Sequence, residues 1–220
     1  VHRAGDLDYI GVLLFDKGGR TVGERRFLGL FTSYAYNLAA ADTPLVRVRM
    51  RKVLENSRLV PGSHAWKAMV HILETLPRDE LLQASSSELQ ETALGVLNLQ
   101  ERQRVRLFIR RERYGRFYSC LVYLPREQFN TENREKIQSI LQRALQGARL
   151  DYAVKVSESP LARLHVIVRP RPSAVVEFDV LIDPVAVERS EEFHQTDDHY
   201  ERADDHDDER QAQRIRLALD

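Results

Sequence analysis

One cysteine, one tryptophan and two methionines occur in 220 residues, and 33 basic residues cancel 33 acidic ones. The single thiol, Cys120, excludes an intrachain disulfide framework and fits a reducing, cytoplasmic setting. Zero formal charge removes any general electrostatic argument for nucleic acid or membrane as a partner. No apolar run approaches the ~20 residues that a membrane-spanning helix needs. A phosphate-cradling loop is also missing: Gly18, Gly19 and Gly23 lack the dinucleotide spacing, no helix opens behind them, and no Gly-Lys-Ser/Thr occurs. Nucleotide-dependent catalysis within this chain is therefore not expected, and neither a cofactor site nor catalytic residues are assigned. The chain opens on Val1 without a signal-peptide pattern, which leads us to expect a segment of a longer protein.

What is present is a dense stretch of pattern between Arg104 and Arg169. Val105, Leu107 and Ile109 alternate with arginines, the period of two of a strand with one buried face. A turn at Arg113-Tyr114-Gly115 leads to Phe117–Leu124, apolar at odd and even positions alike, which predicts a strand covered on both sides. Asn130 caps a helix with the stripe Ile137, Ile140, Leu141, Ala144 and Leu145, and Gly147 is its expected stop. Strands through Leu150–Val156 and Leu164–Val168 complete a strand-strand-helix-strand-strand module. The hairpin register stays open, because two-residue and three-residue loops turn opposite faces of the second strand toward Val105, Leu107 and Ile109.

Upstream, Asp8–Phe15 and Arg20–Phe31 read as a hairpin around Asp16-Lys17-Gly18-Gly19. Three helices follow, opened by Thr43-Pro44, by Ser63 and by the capping box Ser85/Glu88. If Arg20–Phe31 leads the sheet, the order is that of an α+β ferredoxin-like sandwich with a mainly antiparallel sheet and a helical insertion. The expected organisation is a hairpin plus helical subdomain over 1–100, the five-element module over 101–170, and an extra strand with an acidic linker over 171–220. Either register leaves Phe108 on the face opposite Val105, Leu107 and Ile109. With helices covering one face, the other is expected to pack on a second sheet or another subunit.

Candidate chemistry is sparse. Cys120 and His165 lie on strands of one sheet, but a core thiol and a strand histidine are the plainer reading. The acidic run Glu191–Glu209, with His194, His199 and His206, lacks zinc spacing and reads as a solvated segment. Arg102, Arg104, Arg106, Arg110, Arg111, Arg113 and Arg116 interleave with Phe108, Tyr114, Phe117 and Tyr118. That composition suits a protein interface through Phe108, Arg106, Arg110, Phe117 and Tyr118, with base stacking on an RNA-binding sheet as the competing reading. Unpaired N–H groups at the Asn130 helix could hold a ligand carboxylate, with Asn130 and Thr131 as contacts, against the plainer reading of a helix cap.

Five segments carry a resemblance: Asp8-Tyr-Ile-Gly-Val12, Gly23–Ser33, Leu76-Pro-Arg-Asp-Glu-Leu-Leu82, Leu99–Phe108 and Ser157-Glu-Ser-Pro-Leu-Ala-Arg163. Together they resemble the large bacterial NAD-dependent glutamate dehydrogenases, in the regulatory region upstream of the catalytic domain where ACT-like modules are found. The resemblance implies an ACT-like sheet, a parent enzyme that uses NAD to turn glutamate into 2-oxoglutarate and ammonia, and no catalytic residue within these 220 positions. It also implies a homo-oligomer, contact with the catalytic domain of the same polypeptide, and a possible amino-acid effector. A structural spacer without ligand is the alternative.

Overall fold

The computed structural model describes residues 7–102, 104–172 and 174. It begins with β1 (Asp8–Phe15) and β2 (Thr21–Gly29), an antiparallel pair that forms a sheet of its own. Asp16 shapes the turn, its Oδ1 accepting from the N–H groups of Gly18 and Arg20, and Gly19 takes the left-handed φ of 79°.

Helices α1 (Ser33–Asn37), α2 (Pro44–Asn56), α3 (His64–Thr75), α4 (Arg78–Gln83) and α5 (Ser86–Arg102) follow. Their starts obey local chemistry. Ser63 accepts from the Trp66 N–H, while Ser85 and Glu88 exchange hydrogen bonds of 3.2 and 2.7 Å as a capping box. Pro44 sits in the first turn of α2, but Thr43 does not cap it; its hydroxyl donates to the Ala39 carbonyl. Two short helices, α1 and α4, went unforeseen. Pro77, expected only to stop α3, is at once the N-cap of α4.

The second sheet contains β3 (Arg106–Arg111), β4 (Tyr118–Pro125), β5 (Gly147–Lys155) and β6 (Leu161–Pro170), with α6 (Thr131–Ala144) between β4 and β5. All its pairings are antiparallel, in the order β3-β4-β6-β5. The ferredoxin-like α+β class holds, but the strand assignment needs correction. The Arg20–Phe31 strand does not lead this sheet. The last described strand, β6, fills the place beside β4, and α1–α5 precede the whole sheet instead of interrupting it.

The hairpin loop is longer than either length considered: Arg111 faces Tyr118, and the Glu112 N–H donates to the Phe117 carbonyl. Phe108 consequently stands opposite Leu121, while Leu107 and Ile109 share the other face with Val122 and Cys120. Helix α6 ends at Ala144, and the left-handed residue behind it is Gln146, with φ 47°. Gly147 is not the stop; it opens β5, where a Cβ would come within 2.6 Å of Val168 Cγ1.

Every residue of β4 is buried, as its uncharged and mostly apolar sequence implies. Tyr118, Cys120, Val122 and Leu124 join Leu164, Val166 and Val168 of β6 under Ile137 and Leu141 of α6. On the opposite face, Leu121 and Tyr123 share a core with Val46, Val53, Met69, Leu73, Leu89, Ala93 and Val96 of the helices, and Phe108 packs against it. Each large side chain removed from water contributes about 1.5–3 kcal/mol. The expectation that Phe108's face needs a second sheet or subunit is thus overturned. The chain covers that face itself, because α2–α5 form a layer wide enough to do so.

Candidate functional site

The helical layer meets the sheet through a buried polar cluster. Arg110 on β3 grips Glu80 on α4 with two parallel hydrogen bonds, Nε to Oε2 at 3.0 Å and Nη2 to Oε1 at 2.7 Å. Its Nη2 also donates to Gln83 Oε1 at 3.2 Å. The two side chains are only 9% and 7% exposed, so this is a desolvated, bidentate ion pair. Burial pushes the Glu80 carboxyl up, but the hydrogen bonds and charge of Arg110 outweigh it and hold the group below the ordinary carboxylate range. Burial likewise opposes the Arg110 charge, and Glu80 more than restores it.

Two strands extend the cluster. Ser119 Oγ on β4 lies 2.8 Å from His165 Nε2 on β6, and that nitrogen is 4.0 Å from Glu80 Oε1. Burial lowers the His165 pKa, with Glu80 pulling the other way. Arg163, on the same face of β6, donates to the carbonyl of Thr75, the last residue of α3. Arg49 of α2 donates to the Leu81 and Leu82 carbonyls near the end of α4. Cations at helix C-termini satisfy orphaned carbonyls and oppose the negative dipole end. A cleft of about 180 Å³ beside the cluster is bounded by Glu80, Glu88, Arg106, Arg110 and Ser119 among others.

Phe108 and Arg110, expected to face a partner subunit, point instead into this joint. The Arg106 guanidinium lies 5.2 Å from the Phe108 ring centre. Tyr118 is buried beneath α6, and Phe117 is half-buried beside the hairpin loop. Base stacking on this face is excluded by the helices that cover it. Arg116, from the same basic run, pairs with Glu112 at 3.0 Å.

Cys120 and His165 do not form a nucleophile and base. They occupy opposite faces of the sheet, Cys120 across from Val166 and His165 across from Leu121. Burial also pushes the Cys120 thiol well above its usual range. Asn130 and Thr131 stand exposed at the start of α6, where Asn130 Oδ1 already accepts from the Asn133 N–H at 2.8 Å and Glu132 adds an acid to the first turn. Among the described residues no cluster of His, Cys, Asp and Glu could hold a metal, and no helix is long and apolar enough to cross a membrane. The extra strand expected over Val175–Val187 and the acidic run Glu191–Glu209 lie outside the described residues.

Sequence reasoning missed Glu80, Gln83, Ser119, Arg49 and Arg163. A signal was available for Glu80 and Arg163, which lie in two of the five segments that carry the family resemblance, Leu76–Leu82 and Ser157–Arg163; Gln83, Ser119 and Arg49 lie outside all five.

The comparisons divide the chain at the same joint. A family model described as glutamate dehydrogenase, helical motif 1, matches residues 43–102, and one described as glutamate dehydrogenase, ACT2 domain, matches residues 106–188. The NAD-specific glutamate dehydrogenase of Halomonas elongata is 43% identical over 180 residues, 82% of this chain. This chain belongs to the glutamate dehydrogenase family. The enzyme of the same name from Pseudomonas aeruginosa is 40% identical over 81% of the chain, and that from Mycobacterium tuberculosis 37% identical over 68%. The chain spans 11% of the length of the Halomonas and Pseudomonas dehydrogenases and 9% of the mycobacterial one. In glutamate dehydrogenase terms, α2–α5 are the helical motif and β3 opens the ACT2 sheet, so the Glu80–Arg110 pair ties one family unit to the other.

Proposed function

We propose that this chain is a non-catalytic regulatory and assembly region of an NAD-dependent glutamate dehydrogenase. The parent enzyme would convert glutamate and NAD to 2-oxoglutarate, ammonia and NADH in the cytoplasm, with NAD held by a catalytic domain elsewhere in the same polypeptide. The observation that carries the reading is the shared strand β4: the two family-matched units enclose it from either side and bury it completely. A signal reaching the sheet is thereby felt in the helical motif. An effector needs only a different affinity for two states of the enzyme, and ~1–3 kcal/mol of coupling suffices.

Support for assembly comes from β1 and β2, which leave Tyr9, Ile10, Leu13, Phe15, Phe27 and Leu28 in water. An apolar patch of that kind marks a contact with other parts of an enzyme or with a second subunit. Calorimetric titration of the 220-residue chain with aspartate, arginine and glutamate tests the effector; silence with all three favours the spacer. Breaking the Glu80–Arg110 pair in the complete dehydrogenase tests the regulatory role. Unchanged kinetics and effector response in a folded variant refute it.

A further inference from the structure

We infer that His165 makes the joint between helical motif and sheet responsive to protons, so that mild acid loosens α4 from the β-layer. The inference goes beyond the proposed regulatory role and stands on geometry, whether or not an effector binds.

His165 is 9% exposed and central to the cluster. Facing it are Glu80 and Asp79 from α4, Arg110 from β3, the Ser119 hydroxyl from β4 and Arg163 from its own strand. With a neutral imidazole the charges balance, one carboxylate of Glu80 gripped by one guanidinium of Arg110. Asp79 is engaged elsewhere, accepting from the Tyr36 hydroxyl at 2.7 Å. A proton on His165 adds a second cation 4.0 Å from the same carboxylate and close to two arginines, in a largely buried place. Attraction to Glu80 offsets part of the cost, but burial and the like charges of Arg163 and Arg110 outweigh it, and the cost is relieved when α4 lifts and admits solvent. That weakens α4, the short helix through which the motif holds β3 by an ion pair.

The sign follows from burial, which lowers the folded-state pKa of His165 beneath the ordinary 6.5. Such a group leaves stability intact above 6.5 and withdraws it as the pH falls from 6.5 toward the folded value, because the unfolded chain takes the proton first. Glu80 responds in a separate and lower range, since its carboxyl is held below 4.5.

The test is amide hydrogen exchange on the full 220-residue chain at about pH 7.5 and about pH 5.5, on either side of the ordinary histidine range, corrected for intrinsic rates. Protection of α4 and the first half of α5, relative to β4, is expected to fall severalfold in acid, and by no more than about tenfold, the ceiling that one histidine of ordinary pKa sets between these two pH values. His165→Gln, which keeps a polar partner for Ser119 and cannot take up charge, is expected to abolish that fall. An equal fall in both proteins, or none in the wild type, overturns the inference. Should His165→Gln fail to fold, the wild-type imidazole is titrated by NMR. Amides of Glu80 and Leu81 must then follow the same curve as the ring, and amides that ignore it overturn the inference equally.

Discussion

Gly95 and Phe108 share one space: a Cβ added to Gly95 would lie 2.5 Å from Phe108 Cε1 and 2.7 Å from Cζ. Glycine costs the middle of α5 about 1 kcal/mol against alanine, and that cost lets the helix settle on the aromatic ring. The ring cannot simply retreat, since it meets Tyr123 edge-on with centroids 6.0 Å apart. Gly95→Ala is therefore expected to lower stability by about 1–2 kcal/mol, overpacking outweighing the gain in helix propensity. In a Phe108→Ala background the same change should turn neutral or stabilising. Urea denaturation of the four proteins reads the cycle, and the same destabilisation in both backgrounds would sink the explanation.

Removing one partner of the Glu80–Arg110 pair strands the other in a dry site. Glu80→Ala or Arg110→Ala should each cost about 3–5 kcal/mol, whereas the paired change Glu80→Leu with Arg110→Met should recover most of it. Thermal denaturation distinguishes this from a surface pair, for which all three variants would stay within about 1 kcal/mol of the parent.

Acid should act on that pair with a defined sign. A carboxyl whose folded pKa is depressed contributes stability that is complete above its unfolded value and lost as the pH falls through the folded one. Burial works against the Glu80 charge, but Arg110 prevails. The urea midpoint of the wild type is thus expected to fall more steeply below pH 4.5 than that of the double variant carrying Glu80→Leu and Arg110→Met. Parallel curves would remove Glu80 from the account.

Cys120 is fully buried, and burial holds its thiol in the unreactive protonated form. An aromatic disulfide reagent at mildly alkaline pH should therefore label it only as fast as the β4 core opens, and instantly in urea. Rapid labelling of the folded chain would mean that α6 leaves the sheet far more often than its packing allows.

Legibility in the sequence tracked the range of the forces involved. The Ser85/Glu88 box and the Asn130 cap act within three residues, and both stand where their spacing put them. The two-sided burial of β4 was legible because no position from Phe117 to Pro125 carries a charge. Helix α4 was not, since six residues give too little room for a 3.6-residue period and Pro77 reads first as a terminator. The Glu80–Arg110 pair joins positions 30 apart, and no local pattern announces such a contact. The covering of Phe108 was misread for a related reason. Helices α2, α3 and α5 were recognised individually from their starts, but such local signals say nothing about which surface a helix will cover.

Because β4 is walled in by α6 on one side and by the helical motif on the other, neither unit can be peeled away without exposing the same strand. Cutting the polypeptide between the two matched regions should not yield two independent modules. It should yield an insoluble sheet half and a helical half that has lost its floor.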